Sequence, residues 1–172
     1  MSGSGREARE RVGDLLSRAV EDGVCSGAAA AWHSAGEFAL VTAGRTHRAG
    51  GLEIAPRTLF DLASLTKPFA ASAALVMASR GELDLADRLA AHLPELSGAG
   101  TGGATLEQLL AHEAGFVDWK PFFEDVSPAE RGTAAGRDRV VRLALATPCA
   151  SPPGGAAVYS DLGFIALAEI LE

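Results

Sequence analysis

The sequence predicts an α+β fold, helix-rich, with one antiparallel β-hairpin near its N-terminus. Three observations carry this expectation. Apolar residues recur at helical spacing in several segments. Two short apolar runs flank a Gly-containing turn. Glycine or proline closes nearly every segment. At 172 residues the chain is long enough for one ordinary domain with its own core. An apolar content of 48% argues against wholesale disorder.

The elements follow in order. Ala8, Val12, Leu15 and Ala19 share one helical face, so residues 6–22 read as an amphipathic helix that Gly23 ends. GAAAAWH (27–33) and FALVTAG (38–44) read as the two strands around a turn at SAGE (34–37). Residues 45–58, with Gly50, Gly51 and Pro56, read as loop. A long apolar helix is expected from about Ser64 to Arg80, closed by Gly81. LDLADRLAAHLPEL (83–96) has helically spaced leucines and Pro94 as a stop. SGAGTGGA (97–104) reads as a flexible surface connector. Thr105 and Gln108 form a capping box that opens the short helix LEQLLAH, with Gly115 at its exit. Residues 117–128 are aromatic and irregular, and 127–146 are mostly helical. TPCASPPGGAA is a turn-rich loop, and DLGFIALAEILE begins a further apolar helix.

Charge and motif spacing exclude several classes. The net charge of −7 repels nucleic acid, and RGTAAGRDRVVR (131–142) reads as the wet face of a helix rather than a basic patch. No run approaches the ~18 apolar residues of a membrane span. The charged start, MSGSGREARERVGDLL, lacks the apolar region of a secretory signal, so a cytoplasmic location is expected. Cys25 and Cys149 read as free, half-buried thiols. The four histidines have no ligand spacing, so no metal or other cofactor is assigned.

Two short patterns carry chemistry. In DLASLTKPFAAS (61–72), Ser64 and Lys67 stand at i and i+3, on one face of a helix start. A serine hydroxyl is a weak nucleophile until a base takes its proton, and a lysine of lowered pKa can be that base. Leu62, Leu65, Phe69, Ala70 and Ala71 are expected to desolvate the ammonium. Pro68 costs no hydrogen bond in a first turn, and free N–H groups there favour an oxyanion at Ser64. The bland alternative is a surface lysine in a first turn. In AVYSDLGF (157–164), Tyr159 is the only tyrosine of the chain. A tyrosine near a lysine can relay a serine proton. Otherwise it is a half-buried aromatic, with Asp161 as the N-cap of the last helix.

Together, and in this order, these segments resemble the serine β-lactamase and penicillin-binding-protein-like hydrolases, nearest to their class C and esterase branch. FDLASLTKPFAA resembles that family's nucleophile segment, and GELDLADRLAAHLPEL the segment that follows it. TLEQLLAHEAGF resembles its LLxHTSGL segment. PPGGAAVYSDLGFIALAEILE resembles its Pro-Gly loop, tyrosine motif and following helix. The likeness runs from about residue 10 to 172. It implies a β-lactamase/transpeptidase-like fold and cleavage of a small-molecule ester or amide through a Ser64 acyl-enzyme. Lys67 would be base or relay, Tyr159 would act with it, and Asp161 would hold the third, substrate-binding position of the tyrosine motif. The Ser64 N–H would be one oxyanion donor. Alternatives from other classes are a noncatalytic binding fragment of the fold, and a cell-wall D-alanyl-D-alanine carboxypeptidase or β-lactamase.

Three departures from the family pattern stand out. Asp161 replaces the usual Asn, which would stabilise a charged Lys67 and remove an amide donor. HEAGF replaces HTSGL. Only 11 residues follow Asp161, whereas family members continue into strands that complete the sheet and carry a second oxyanion donor. Residues 1–172 therefore read as the N-terminal portion of a single hydrolase domain. The expectations are an exposed hairpin edge prone to self-association, a last helix short of packing partners, and turnover reduced by on the order of 10²–10³ for the missing donor.

Overall fold

In the computed structural model, residues 3–34 and 36–172 are described; Ala35, within the expected SAGE turn, lies outside them. The chain divides into two compact units, one ending at Asp61 and the other running from Leu62 to Glu172.

The first unit is built from helix α1 (Gly3–Glu21) and the antiparallel strands β1 (Gly27–Ser34) and β2 (Glu37–Gly44). The register pairs Gly27 with Gly44 and Ser34 with Glu37. Along β1, Ala28, Ala30 and Trp32 are half-buried while Ala29, Ala31 and His33 are exposed, the period of two that a one-sided sheet requires. Alanine is a poor strand former by propensity, but α1 packs on both strands, and small side chains let it approach. Gly13 of α1 lies beside Val41, where an added Cβ would already be in contact at 3.5 Å. Ala39 of β2 and Ile54 of the following loop are buried. The chain leaves α1 at Gly23, whose φ of +72° is the left-handed turn expected of a helix terminator.

The second unit is helical. A 3-10 turn (Ala63–Leu65) runs directly into α2 (Thr66–Ser79). Then follow α3 (Leu89–His92), α4 (Leu106–Leu110), α5 (Ala134–Ala146) and α6 (Asp161–Leu171). Leu89, Leu96, Leu106, Leu109, Leu162 and Leu167 are fully buried and form the core with Ala74, Ala144 and Phe116. Each such leucine contributes about 1.5–3 kcal/mol relative to exposure.

Four sequence expectations are revised here. The last helix is not short of partners: α6 packs against α2, α4 and α5, and buries Leu162, Gly163, Ala166 and Leu167. Glycine and alanine at its centre allow this, because a Cβ at Gly163 would lie 3.1 Å from Leu109 Cδ1. The glycine-rich run 97–104 is not a loose connector. It forms a 3-10 turn (Gly100–Gly103) with Thr101 and Gly102 buried, and a Cβ on Gly102 would stand 2.0 Å from the Leu96 carbonyl oxygen. Glycine serves close approach there, not mobility. Residues 83–96 are not one helix. The Leu89 N–H donates to the Ala104 carbonyl at 2.8 Å and the Leu106 N–H to the Asp87 carbonyl at 3.0 Å, so the backbone is spent on the neighbouring segment instead. Only α3 and a 3-10 turn (Pro94–Leu96) remain helical. Finally, Cys25 is half-buried but Cys149 is exposed.

The capping box is as expected: Thr105 Oγ1 accepts from the Gln108 N–H at 3.2 Å, and Gln108 Oε1 accepts from the Thr105 N–H at 3.0 Å. Among the described residues no helix is long and apolar enough to cross a membrane.

Candidate active site

Two devices of the helical unit bring the motif residues together. The first is the turn before α2. Ala63 adopts a left-handed φ of +44°, and the 3-10 turn that follows presents Ser64 on an exposed edge one turn before Lys67. The second is a strap. Residues 150–161 run along 112–118, joined by backbone hydrogen bonds from Ala150 to Gly115 (2.8 Å), Gly154 to Glu113 (2.9 Å), Val158 to His112 (2.9 Å) and Asp161 to Asp118 (2.8 Å). Gly115 is required at this crossing. Its φ is +86° and a Cβ would lie 2.3 Å from the Ser151 carbonyl oxygen. Ser160 ends the strap: its Oγ donates to the Val117 carbonyl at 2.6 Å and accepts from the Gly163 N–H at 3.1 Å. Ser160 is thus the N-cap of α6, the role the bland reading gave to Asp161.

The four residues singled out from sequence meet at one point. Lys67 Nζ lies 3.4 Å from Ser64 Oγ and 2.5 Å from Asp161 Oδ1. It also stands 4.7 Å from the centroid of the Tyr159 ring and 5.7 Å from that of Phe164. Its side chain is only 12% exposed. Of the five residues expected to shield it, Leu62, Leu65 and Phe69 are exposed, whereas Ala70 and Ala71 are half-buried. The two rings and Asp161 cover the ammonium, because Lys67 points toward α6 and the strap rather than along its own helix. An open cavity of about 660 Å³ lies over this cluster and is lined mainly by apolar groups. A larger cavity of about 770 Å³ touches Asp161 from the side of Trp119 and Phe123, but holds none of Ser64, Lys67 and Tyr159.

The electrostatics assign protons. Burial of Lys67 opposes its charge, but hydrogen bonds and charge from Asp161 and Tyr159 outweigh burial, so its pKa lies above the ordinary lysine value. Lys67 is a fixed ammonium at neutral pH. Tyr159 moves the other way. A hydrogen bond with Ser64, then hydrogen bonding and charge from Lys67, hold its hydroxyl below the ordinary tyrosine value against the opposing effect of desolvation. The arrangement can therefore draw a proton from Ser64 toward the Tyr159 oxygen while Lys67 steadies the negative charge.

Sequence reasoning missed two neighbours. Phe164 covers Lys67 from the first turn of α6, i+3 from Asp161, and only that spacing hinted at it. His112 sits 4.6 Å from the Tyr159 ring, centroid to centroid, and 5.1 Å from that of Phe164. Its signal was its place in the HEAGF segment.

Comparison with known proteins gives the following likenesses. A family model described as Beta-lactamase matches residues 12–172. The N-acetylmuramyl-L-alanine amidase of Bacillus subtilis (strain 168) is 30% identical over 123 residues, which are 67% of this chain and 28% of the amidase. A crystal structure of SurE with D-Leu superposes with a TM-score of 0.72 at 33% identity, covering 95% of this chain and 36% of that one. A class C beta-lactamase superposes with a TM-score of 0.76 at 22% identity, covering 96% of this chain and 43% of that one, a likeness of fold. The chain thus spans less than half the length of each of these three proteins.

Proposed function

This chain belongs to the beta-lactamase family, and on that premise we propose that it carries the acylation machinery of a serine hydrolase acting on esters or amides. Ser64 Oγ attacks the carbonyl carbon. In the reacting form Tyr159 is the tyrosinate, and the serine proton passes to its oxygen as the new C–O bond forms, giving the neutral phenol. The Ser64 backbone N–H receives the oxyanion. Tyr159 returns the proton to the leaving nitrogen or oxygen as that bond breaks, and water then hydrolyses the acyl-enzyme. Lys67 stays charged throughout and stabilises the tyrosinate. Asp161 holds Lys67 in place and in charge.

The observation that carries this reading is the position of Lys67, 3.4 Å from Ser64 Oγ, 2.5 Å from Asp161 and under the Tyr159 ring. A lysine on a solvated helix face needs none of these partners. For the substrate we propose an acyl group ending in an amino acid, D-configured at the reacting residue. Two similar proteins support the D configuration, one named "Putative D-alanyl-D-alanine carboxypeptidase" and one solved with D-Leu, whereas the amidase is named for an L-alanine linkage and supports the amide alone. An ionised Asp161 beside the site disfavours substrates with a carboxylate at that position.

Intact-mass analysis after fluorophosphonate treatment tests the reading, with Ser64→Ala as control and circular dichroism to verify folding. The expected result is one adduct per chain, absent in the control. A folded wild-type chain that takes no adduct would overturn it. Thioesters of D- and L-amino acids, compared next, test the proposed configuration.

A further inference from the structure

We propose that His112 is a positioning residue for Tyr159: one residue grips the chain on both sides of the tyrosine, through its carbonyl and its ring. The His112 carbonyl accepts from the Val158 N–H at 2.9 Å, and His112 Nδ1 accepts from the Ser160 N–H at 3.0 Å. Tyr159 lies between these anchors. It needs them, because residues 158–160 belong to no helix or strand and Tyr159 is 57% exposed. The His112 ring also lies against the Tyr159 ring at 4.6 Å, so it limits both the backbone and the side chain.

A left-handed backbone makes the double grip workable. His112 has φ +61°, an uncommon value for a residue with a side chain. It follows α4, where the chain turns, and there it presents its carbonyl and its imidazole to the same strap. Glycine would make the turn without strain but would lack the ring acceptor. Asparagine tolerates the left-handed region and places Oδ1 about where Nδ1 sits.

The grip depends on protonation. Nδ1 accepts a hydrogen bond only while it carries no proton. The groups facing the ring are Lys67 from α2, Tyr159 from the strap, and Asp161 with the apolar Phe164 from α6. Burial, then the charge of Lys67, hold His112 below the ordinary histidine value, with Asp161 opposing. Acid therefore releases the Ser160 anchor only below that value. Loss of the anchor frees Tyr159 from Ser64 and Lys67.

The test has two arms, of which only the second rests on the acyl-enzyme reading. In the first, tyrosinate absorbance is titrated in the wild type, His112→Asn and His112→Gly. Tyr159 is the only tyrosine, so the signal belongs to it alone. The wild type and His112→Asn are expected to titrate below the ordinary tyrosine value of ~10, and His112→Gly close to it. In the second arm, fluorophosphonate labelling rates are followed against pH. His112→Gly is expected to label about tenfold more slowly, the size of one lost hydrogen bond. His112→Asn is expected to keep the neutral-pH rate and lose the acid limb. If the glycine variant does not fold, His112→Gln replaces it, since its oxygen lies too far out to meet the Ser160 N–H. Unchanged titration and labelling in a folded glycine or glutamine variant would overturn the proposal. So would equal losses in His112→Asn. A wild type that takes no label, yet shows the expected titrations, would refute the hydrolase reading and leave the positioning role standing.

Discussion

Asp161→Asn removes one charge of the Lys67 ion pair and keeps the side chain's shape, and its effect on Lys67 can be worked from the geometry. The wild-type carboxylate oxygen lies 2.5 Å from Nζ. The Asp161 side chain is 43% exposed, so solvent screens the pair and the high-dielectric limit applies. Two unit charges at that separation interact by about 1.7 kcal/mol in water. Removing the charge is therefore expected to lower the Lys67 pKa from its raised value. The chain has only two lysines, Lys67 and Lys120, so NMR of labelled lysine side chains gives two signals, assigned with Lys120→Arg. The linkage has a definite sign. A lysine whose folded pKa is raised contributes stability below its unfolded pKa and loses it as pH rises through the folded value. Wild-type stability is therefore expected to fall with rising alkaline pH as Lys67 deprotonates, and Asp161→Asn to flatten that fall. A Lys67 titration unmoved in a folded Asp161→Asn variant would refute the account of Lys67 as an ammonium held by Asp161.

Two further predictions concern the scaffold. Leu167→Ala removes a fully buried side chain from the centre of α6 and is expected to cost about 2–5 kcal/mol, read from chemical denaturation of the purified chain. Gly115→Ala combines an unfavourable φ of +86° with a Cβ 2.3 Å from the Ser151 carbonyl oxygen, so the strap must shift. A lower melting temperature is expected together with slower labelling at Ser64; an unaffected labelling rate would mean that the strap does not set the Tyr159 position.

Local interactions were legible in the sequence. Spacing and punctuation marked α1, the hairpin, α2 and α6, because a helical stripe, a strand alternation and a glycine stop depend on neighbours in sequence. The Thr105–Gln108 capping box was readable for the same reason. So was the pairing of Ser64 with Lys67, since i and i+3 are neighbours on any helix. The motif order along the chain pointed to the family without any structure.

Longer-range decisions were made by packing. The leucines of 83–96 read as a helix, yet the backbone there found better partners in residues 104–107, and local propensity yielded to them. The glycines of 97–104 had the composition of a loose linker, and only the Leu96 carbonyl pressed against Gly102 shows why they are small. The shielding of Lys67 came from Tyr159 and Phe164, more than ninety positions away, rather than from its own helix. The double grip of His112 on the strap joins residues 46 and 48 positions apart in the chain. Sequence determines which groups are present and how each short segment prefers to fold. Which proton sits on Lys67, Tyr159 or His112 depends on distances between segments, and those exist only once the helices have packed.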